Sequence, residues 1–244
     1  MTTTKQFMVR AAARNNAEWC AAMARSHGLV GAWGQDAWTA PARTPPLHPD
    51  AVTLVPGAHP AALVARIDTG TPGASVKDSF ADLDLSDAGF HVLFEAQWIH
   101  RPARPPSVAP DLAWDLADDP ATLRDWARAW DDGDGGAGLF RPGLLADPAT
   151  FVLAGRSADG RVVAGAVAGR NDQVVGISNV FARDGGPDAA WPVVLDAVHR
   201  LFPTLPVVGY EHGDALAAAV RHGFEPLGPL RVWLHGPTAA RSTA

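Results

Sequence analysis

The chain has 244 residues, 47% apolar and 19% charged, with 24 glycines, 21 prolines and a formal net charge of −6. That length holds one large domain or two small ones with a hydrophobic core, and the acidic balance offers no footprint for nucleic acid or an anionic membrane. Cys20 is the one cysteine, so no internal disulfide forms; no apolar run reaches the roughly 18 residues of a membrane span, and the opening MTTTKQFMVRAAARNN lacks the apolar core of a signal peptide. A soluble, cytoplasmic protein is expected.

Trp19, Cys20, Met23 and His27 share one helical face, which predicts a helix over residues 14–27 stopped at Gly28. TAPARTPPLHPD holds too much proline for regular structure. The β-branched and aromatic content of AVTLVPG and FHVLFEAQWIH predicts strands, with a short helix in HPAALVARID between them. RPARPPSVAP, residues 101–110, reads as an extended connector. It divides an N-terminal α/β part, 1–105, from a second part, 111–237.

In the second part Asp119 is placed to cap a helix with Pro120 at its first position, and Leu123, Trp126, Ala127 and Trp130 form its apolar stripe. After the acidic linker DDGDGG, the stretch TFVLAGRSADGRVVAGAVAGRNDQVVGISNVFA predicts three antiparallel strands turning at Asp159-Gly160 and Asn171-Asp172. Val194, Leu195, Val198, Leu201 and Phe202 mark a further helix, and LPVVGY a further strand. Asp214 can cap an alanine-rich helix ended by Gly223, with EPLGPLRVWLH returning as one or two strands.

The closing stretch VVGYEHGDALAAAVRHGFEPLGPLRVW, together with the order helix, three strands, helix, strand, helix, strand over residues 111–235, resembles the GCN5-related N-acetyltransferase superfamily. The resemblance implies an α/β (α+β) fold: a mixed, mostly antiparallel sheet flanked by helices, with the N-terminal α/β half packed against it. It implies an N-acetyltransferase that moves an acetyl or other acyl group from acyl-CoA to the amine of a small molecule, with acetyl-CoA as co-substrate and no metal. The cofactor would lie between strands at about 174–182 and 206–210, against Val180, Phe181 and Ala182 and near Asp214.

The family's pyrophosphate loop has its counterpart in RDGGPDAAWPVV. Arg183 and Gly186 suit the motif, and with Gly185 they are the candidate phosphate contacts, because backbone N–H groups at a helix start approach phosphates. Asp188 stands where a small residue is usual and its charge would repel a pyrophosphate, and Pro187 and Pro192 each lack an N–H, so this loop is degraded on paper. The alternative is a plain turn with Asp188 as a helix cap. The family's tyrosine acid has its counterpart at Ala219, which leaves Tyr210, Glu211 and His212 as candidates for acid or base chemistry.

Gly89-Phe90 before an apolar strand hints that the first part is a decayed copy of the same fold. By the resemblance such a half shapes the acceptor cleft, for which Arg43, Lys77, Asp78 and Trp98 are candidate lining residues. GISNV lacks the second glycine of a nucleophile elbow, DDGDGG lacks the acidic residue that completes a calcium loop, and the nine histidines show no ligand spacing. Cys20 is read as a small core residue. The alternatives to acyl transfer are a non-catalytic binding or scaffold protein of this fold, or a different chemistry in the same cleft.

Overall fold

The computed structural model describes residues 3–131 and 135–236. Residues 132–134 of the acidic linker lie outside the described residues. The chain opens with α1 (Thr3–Ser26), which begins well before the expected residue 14. Met8, Val9, Ala11, Ala12 and Ala13 prolong its apolar face and pack on Trp98, Val208, Leu230 and Val232, so tertiary burial extends the helix past its sequence signal.

Short elements follow: β1 (Ala32–Trp33), β2 (Ala37–Thr39), β3 (Ala51–Thr53), α2 (Pro60–Val64) and β4 (Ser75–Asp78). The twelve-residue strand β5 (Phe90–Arg101) ends this part. Beyond the connector come β6 (Ala113–Leu116), α3 (Pro120–Asp131), α4 (Gly135–Leu139), and the expected meander β7 (Thr150–Arg156), β8 (Val162–Arg170) and β9 (Val175–Ala182). The chain closes through α5 (Pro187–Leu201), β10 (Val207–Glu211), α6 (Gly213–Arg221) and β11 (Glu225–His235).

Local signals explain several boundaries. Asp119 Oδ1 accepts the N–H groups of Ala121 and Thr122 and starts α3 as expected. Asn171 Oδ1 accepts those of Gln173 and Val174 and closes the β8–β9 turn. Gly223, at φ 87°, ends α6 in the left-handed region. The expected cap at Asp214 is corrected: His212 holds the N-cap position with no side-chain capping bond, and Asp214 is already inside the first turn.

One eleven-stranded sheet joins both parts, in the order β1-β2-β3-β4-β11-β5-β10-β9-β8-β7-β6. Only β3–β4 and β9–β10 run parallel among these pairs. The last strand, β11, inserts between β4 and β5, while β5 lies between β11 and β10. The strand after Gly89-Phe90 thus joins the sheet of the second part, and the 101–110 connector crosses from the middle of the sheet to its β6 edge. Arg101 orders that crossing: its buried guanidinium donates to the carbonyls of Arg104 (2.7 Å), Pro105 (2.7 Å) and His222 (3.1 Å).

Alternation sorts the strand residues to two faces. Leu153, Ala164, Ala166 and Ala168 join Trp191, Val194 and Val198 of α5 and Ala218 and Ala219 of α6 in one core. Val152, Ala154, Val162 and Val167 pack instead with Trp19 and Met23 of α1 and Leu123 and Trp126 of α3. Among the described residues, no helix is long and apolar enough to cross a membrane.

Candidate functional site

The site begins where two parallel strands part. β9 and β10 are in register only at Val175 with Val207 and Gly176 with Val208. Two local features turn β9 away. Gly176 admits the side chain of Asn15 from α1, whose Oδ1 would lie 1.8 Å from a Cβ at that position. Asn179 takes a left-handed φ of 55° within the strand, and the β8–β9 register slips between Gly165 and Val167, so the strand bends as a bulge requires. β10 stays paired with β5 to its last residue, Glu211 with Gln97. A wedge opens between the two strands.

A cavity stands on each side of this wedge. One, of about 220 Å³, is walled by Asn16, Trp19, His48, Lys77, Asn179, Tyr210 and Glu211, among others. The other, of about 270 Å³, is walled by Val180, Phe181, Ala182, Gly186, Trp191, Glu211 and Ala215. Glu211 borders both. Burial pushes its carboxyl from the ordinary glutamate value up to about 7. An apolar groove of about 490 Å³ adjoins the first cavity and shares Leu47, His48, Lys77 and Tyr210 with it.

On the second side, Gly185 and Gly186 adopt φ values of 82° and 69° immediately before α5, with Gly186 at the N-cap. A side chain at Gly186 would meet nothing within 4 Å, so this helix start is open for a ligand's approach. Arg183 is exposed ahead of it and borders a surface groove with Arg128, Arg156 and Arg161. Asp188 is not a loose repulsive charge: Arg221 of α6 donates Nε to its Oδ1 at 3.0 Å and Nη2 to its Oδ2, with His222 Nε2 3.4 Å away. Hydrogen bonding to Arg221 holds the Asp188 carboxyl below its usual range. The repulsion read from the loop alone is therefore corrected by the packing of α6 against α5.

The remaining sequence candidates divide. Tyr210 and Glu211 line the first cavity, whereas His212 is exposed at the start of α6 with its ring 5.6 Å from that of Phe94. Lys77 lines the first cavity and the groove. Arg43 borders the groove, but pairs with buried Asp50 at 2.7 Å and donates to the carbonyls of Asp68 and Thr71. Asp78 accepts three backbone N–H groups, from Phe80, Asp82 and Leu83, and closes the turn after β4; burial raises its pKa. Trp98 is 1% exposed and donates to the carbonyl of Ser79 at 2.8 Å. Asp78 and Trp98 thus do structural work behind the wall. Asp214 is exposed on the first turn of α6.

No family model matches the sequence, and no curated protein does. Among solved structures, a GCN5-related N-acetyltransferase from Kribbella flavida aligns at TM-score 0.61 and 15% identity, over 93% of this chain and 96% of that one. The fold is that of the GCN5-related N-acetyltransferases. A second such enzyme, from Sphaerobacter thermophilus, aligns at TM-score 0.54 and 13% identity over 96% of both chains. A conserved protein of unknown function from Staphylococcus epidermidis aligns at 0.55 and 12%, over 73% of this chain and 77% of that one. These alignments reach far into the N-terminal part, so the shared acetyltransferase fold includes strands before the connector.

Sequence reasoning missed Asn16, Trp19, His48 and Asn179 as cavity residues. One signal was available: Asn15 and Asn16 lie in the alanine-rich stretch of α1, and both are buried. Cys20 is buried as expected, and burial raises its thiol pKa, yet it also borders the first cavity. Among the described residues, no group of histidine, cysteine or carboxylate side chains is arranged to hold a metal.

Proposed function

We propose that this chain moves an acyl group from an acyl-CoA to the amine of a small molecule. The observation that carries this is the place of Glu211: a carboxylate at the mouth of the wedge, shared by the two cavities, in a fold found in acetyltransferases. The residues on the α5 side fit an acyl-CoA. Val180, Phe181, Ala182 and Trp191 offer an apolar wall to its arm, and the open helix start at Gly186 offers N–H groups to its pyrophosphate. Asp188, held by Arg221, does not oppose that anion.

When bound, the acyl-CoA supplies a thioester carbonyl: the amine lone pair forms the N–C bond, the C–S bond breaks, and the thiolate leaves with the proton the nitrogen sheds. Glu211 takes the first proton, from the ammonium form of the acceptor. A carboxylate titrating near 7 is half in its base form at neutrality and still basic enough for the task. Ala219, counterpart of the family's tyrosine acid, is fully buried in the α5–α6 core, so α6 contributes no acid from that position. Tyr210 shapes the acceptor wall, its ring held edge-on by Trp98 at 5.7 Å.

Thiol release from acetyl-CoA with a panel of small amines tests this function. The wild type is expected to turn over, and Glu211→Gln to lose about a hundred- to ten-thousand-fold in kcat/KM while keeping acetyl-CoA binding. Absence of acetyl-CoA binding by the wild type at millimolar concentration would overturn it.

A further inference from the structure

Lys77 carries a charge that the fold does not neutralise. It lies on β4 and is 3% exposed, with Nζ 2.8 Å from Asn16 Oδ1 and 4.1 Å from the centroid of the Tyr210 ring. An amide oxygen and a ring face stabilise an ammonium, but neither bears a net charge. Among the described residues Lys77 has no carboxylate within ion-pair distance, and a buried ammonium without an anion is costly. The bond to Asn16 Oδ1 uses one of the three N–H donors of the Lys77 ammonium.

The other cations bordering the two spaces are accounted for. Arg43 is neutralised by Asp50. His48 is kept neutral by burial, which pushes its pKa down to about 4, and its Nδ1 lies 3.0 Å from the Pro46 carbonyl. A carbonyl only accepts, so Nδ1 carries the proton and Nε2 is an acceptor. One uncompensated positive charge therefore faces the cavity, matching one carboxylate. Lys77 and Glu211 both line this cavity, and among the described residues no ion pair joins them, so the ammonium and the carboxylate face the same space.

From this we infer that the acceptor is an amino carboxylate: its amine turns to Glu211, its carboxylate to Lys77, and its apolar side chain enters the adjoining groove. This deepens the acyl-transfer reading and rests on it. The groove, about 490 Å³ in volume, is walled by Pro46, Leu47, Phe94, Val232 and Leu234, which suits an aliphatic or aromatic body. Leu47 stands at the lip of cavity and groove, 79% exposed, with a left-handed φ of 66°. A leucine held out in that strained conformation offers an apolar cover to a ligand body beneath it.

Calorimetric titration of the full chain with L-phenylalanine and with phenethylamine, the same body without the carboxylate, tests this. Phenylalanine is expected to bind roughly ten- to a hundred-fold more tightly, the value of one charge-assisted contact. Lys77→Met should erase the difference and Lys77→Arg should keep part of it. Equal or tighter binding of phenethylamine, a preference that survives Lys77→Met, or no binding of phenylalanine to the wild type at millimolar concentration would each overturn the inference. The wild-type comparison needs no variant to fold. A parallel acetyl-CoA titration separates the two readings. Acetyl-CoA bound without a carboxylate preference sinks only the inference; phenylalanine bound through Lys77 without acetyl-CoA sinks the acyl-transfer reading and leaves the carboxylate site standing.

Discussion

Glu211→Gln removes a carboxylate whose pKa burial raises from the ordinary 4.5 to about 7. Because the folded value lies above the unfolded one, folding favours the protonated form. The stability this lends is complete below about pH 4.5 and is lost as pH rises through about 7. Above that, the wild type holds a charged carboxylate in a half-dry wedge at a cost of roughly 3 kcal/mol, taking about 1.4 kcal/mol per tenfold change in proton affinity. Glutamine keeps the shape and avoids the charge. The variant should therefore melt higher than the wild type by about 6–12 °C at alkaline pH, given about 2–4 °C per kcal/mol for a chain of this size, with the gap closing toward pH 4.5. The same substitution should remove the limb near 7 from the pH profile of kcat/KM. Thermal melts of both proteins across pH, beside rate measurements, are the assay. A melting difference that does not change with pH, or a variant less stable at alkaline pH, would refute the reasoning.

Gly176→Ala would place a Cβ 1.8 Å from Asn15 Oδ1, forcing Asn15 off its 2.8 Å bond to the Gly169 carbonyl. A loss of about 1–3 kcal/mol in urea unfolding is expected, and an unchanged midpoint would contradict the account of the wedge. Arg221→Ala should barely alter the melting temperature, since the ion pair with Asp188 is exposed. It should weaken acetyl-CoA binding at low salt by freeing the Asp188 charge, and adding Asp188→Asn should restore affinity. A double variant that binds as weakly as the single one would exclude that role. The fragment 108–244 lacks β4 and β5, so β10 loses its antiparallel partner and β11 loses both neighbours. It should aggregate on size-exclusion chromatography; a monodisperse, folded fragment would show that the two parts are separable.

Much of the second part was legible because its signals are local. Asp119 before Pro120 starts α3, paired turn residues divide the β7–β9 meander, and Gly223 ends α6; each needs only neighbours a few residues away. Glu211 was also within reach, as a polar residue at the end of an apolar strand in a segment resembling an acetyltransferase. The burial that brings its pKa near neutrality was not, since that depends on which elements close around the wedge. The insertion of β5 between β10 and β11 was equally hidden, because apolar strand pattern states that a strand will be paired but not with which partner. Asp188 read as repulsive until Arg221, 33 residues later, met it across two helices. Lys77 is the extreme case: in the sequence it is one lysine in a polar stretch, and only the packing of α1 and β10 around β4 buries its ammonium beside Asn16 and Tyr210 with no carboxylate to pair with it. Sequence determines which residues carry charge; tertiary structure decides which charges lose their water, and that loss makes a charge available to a ligand.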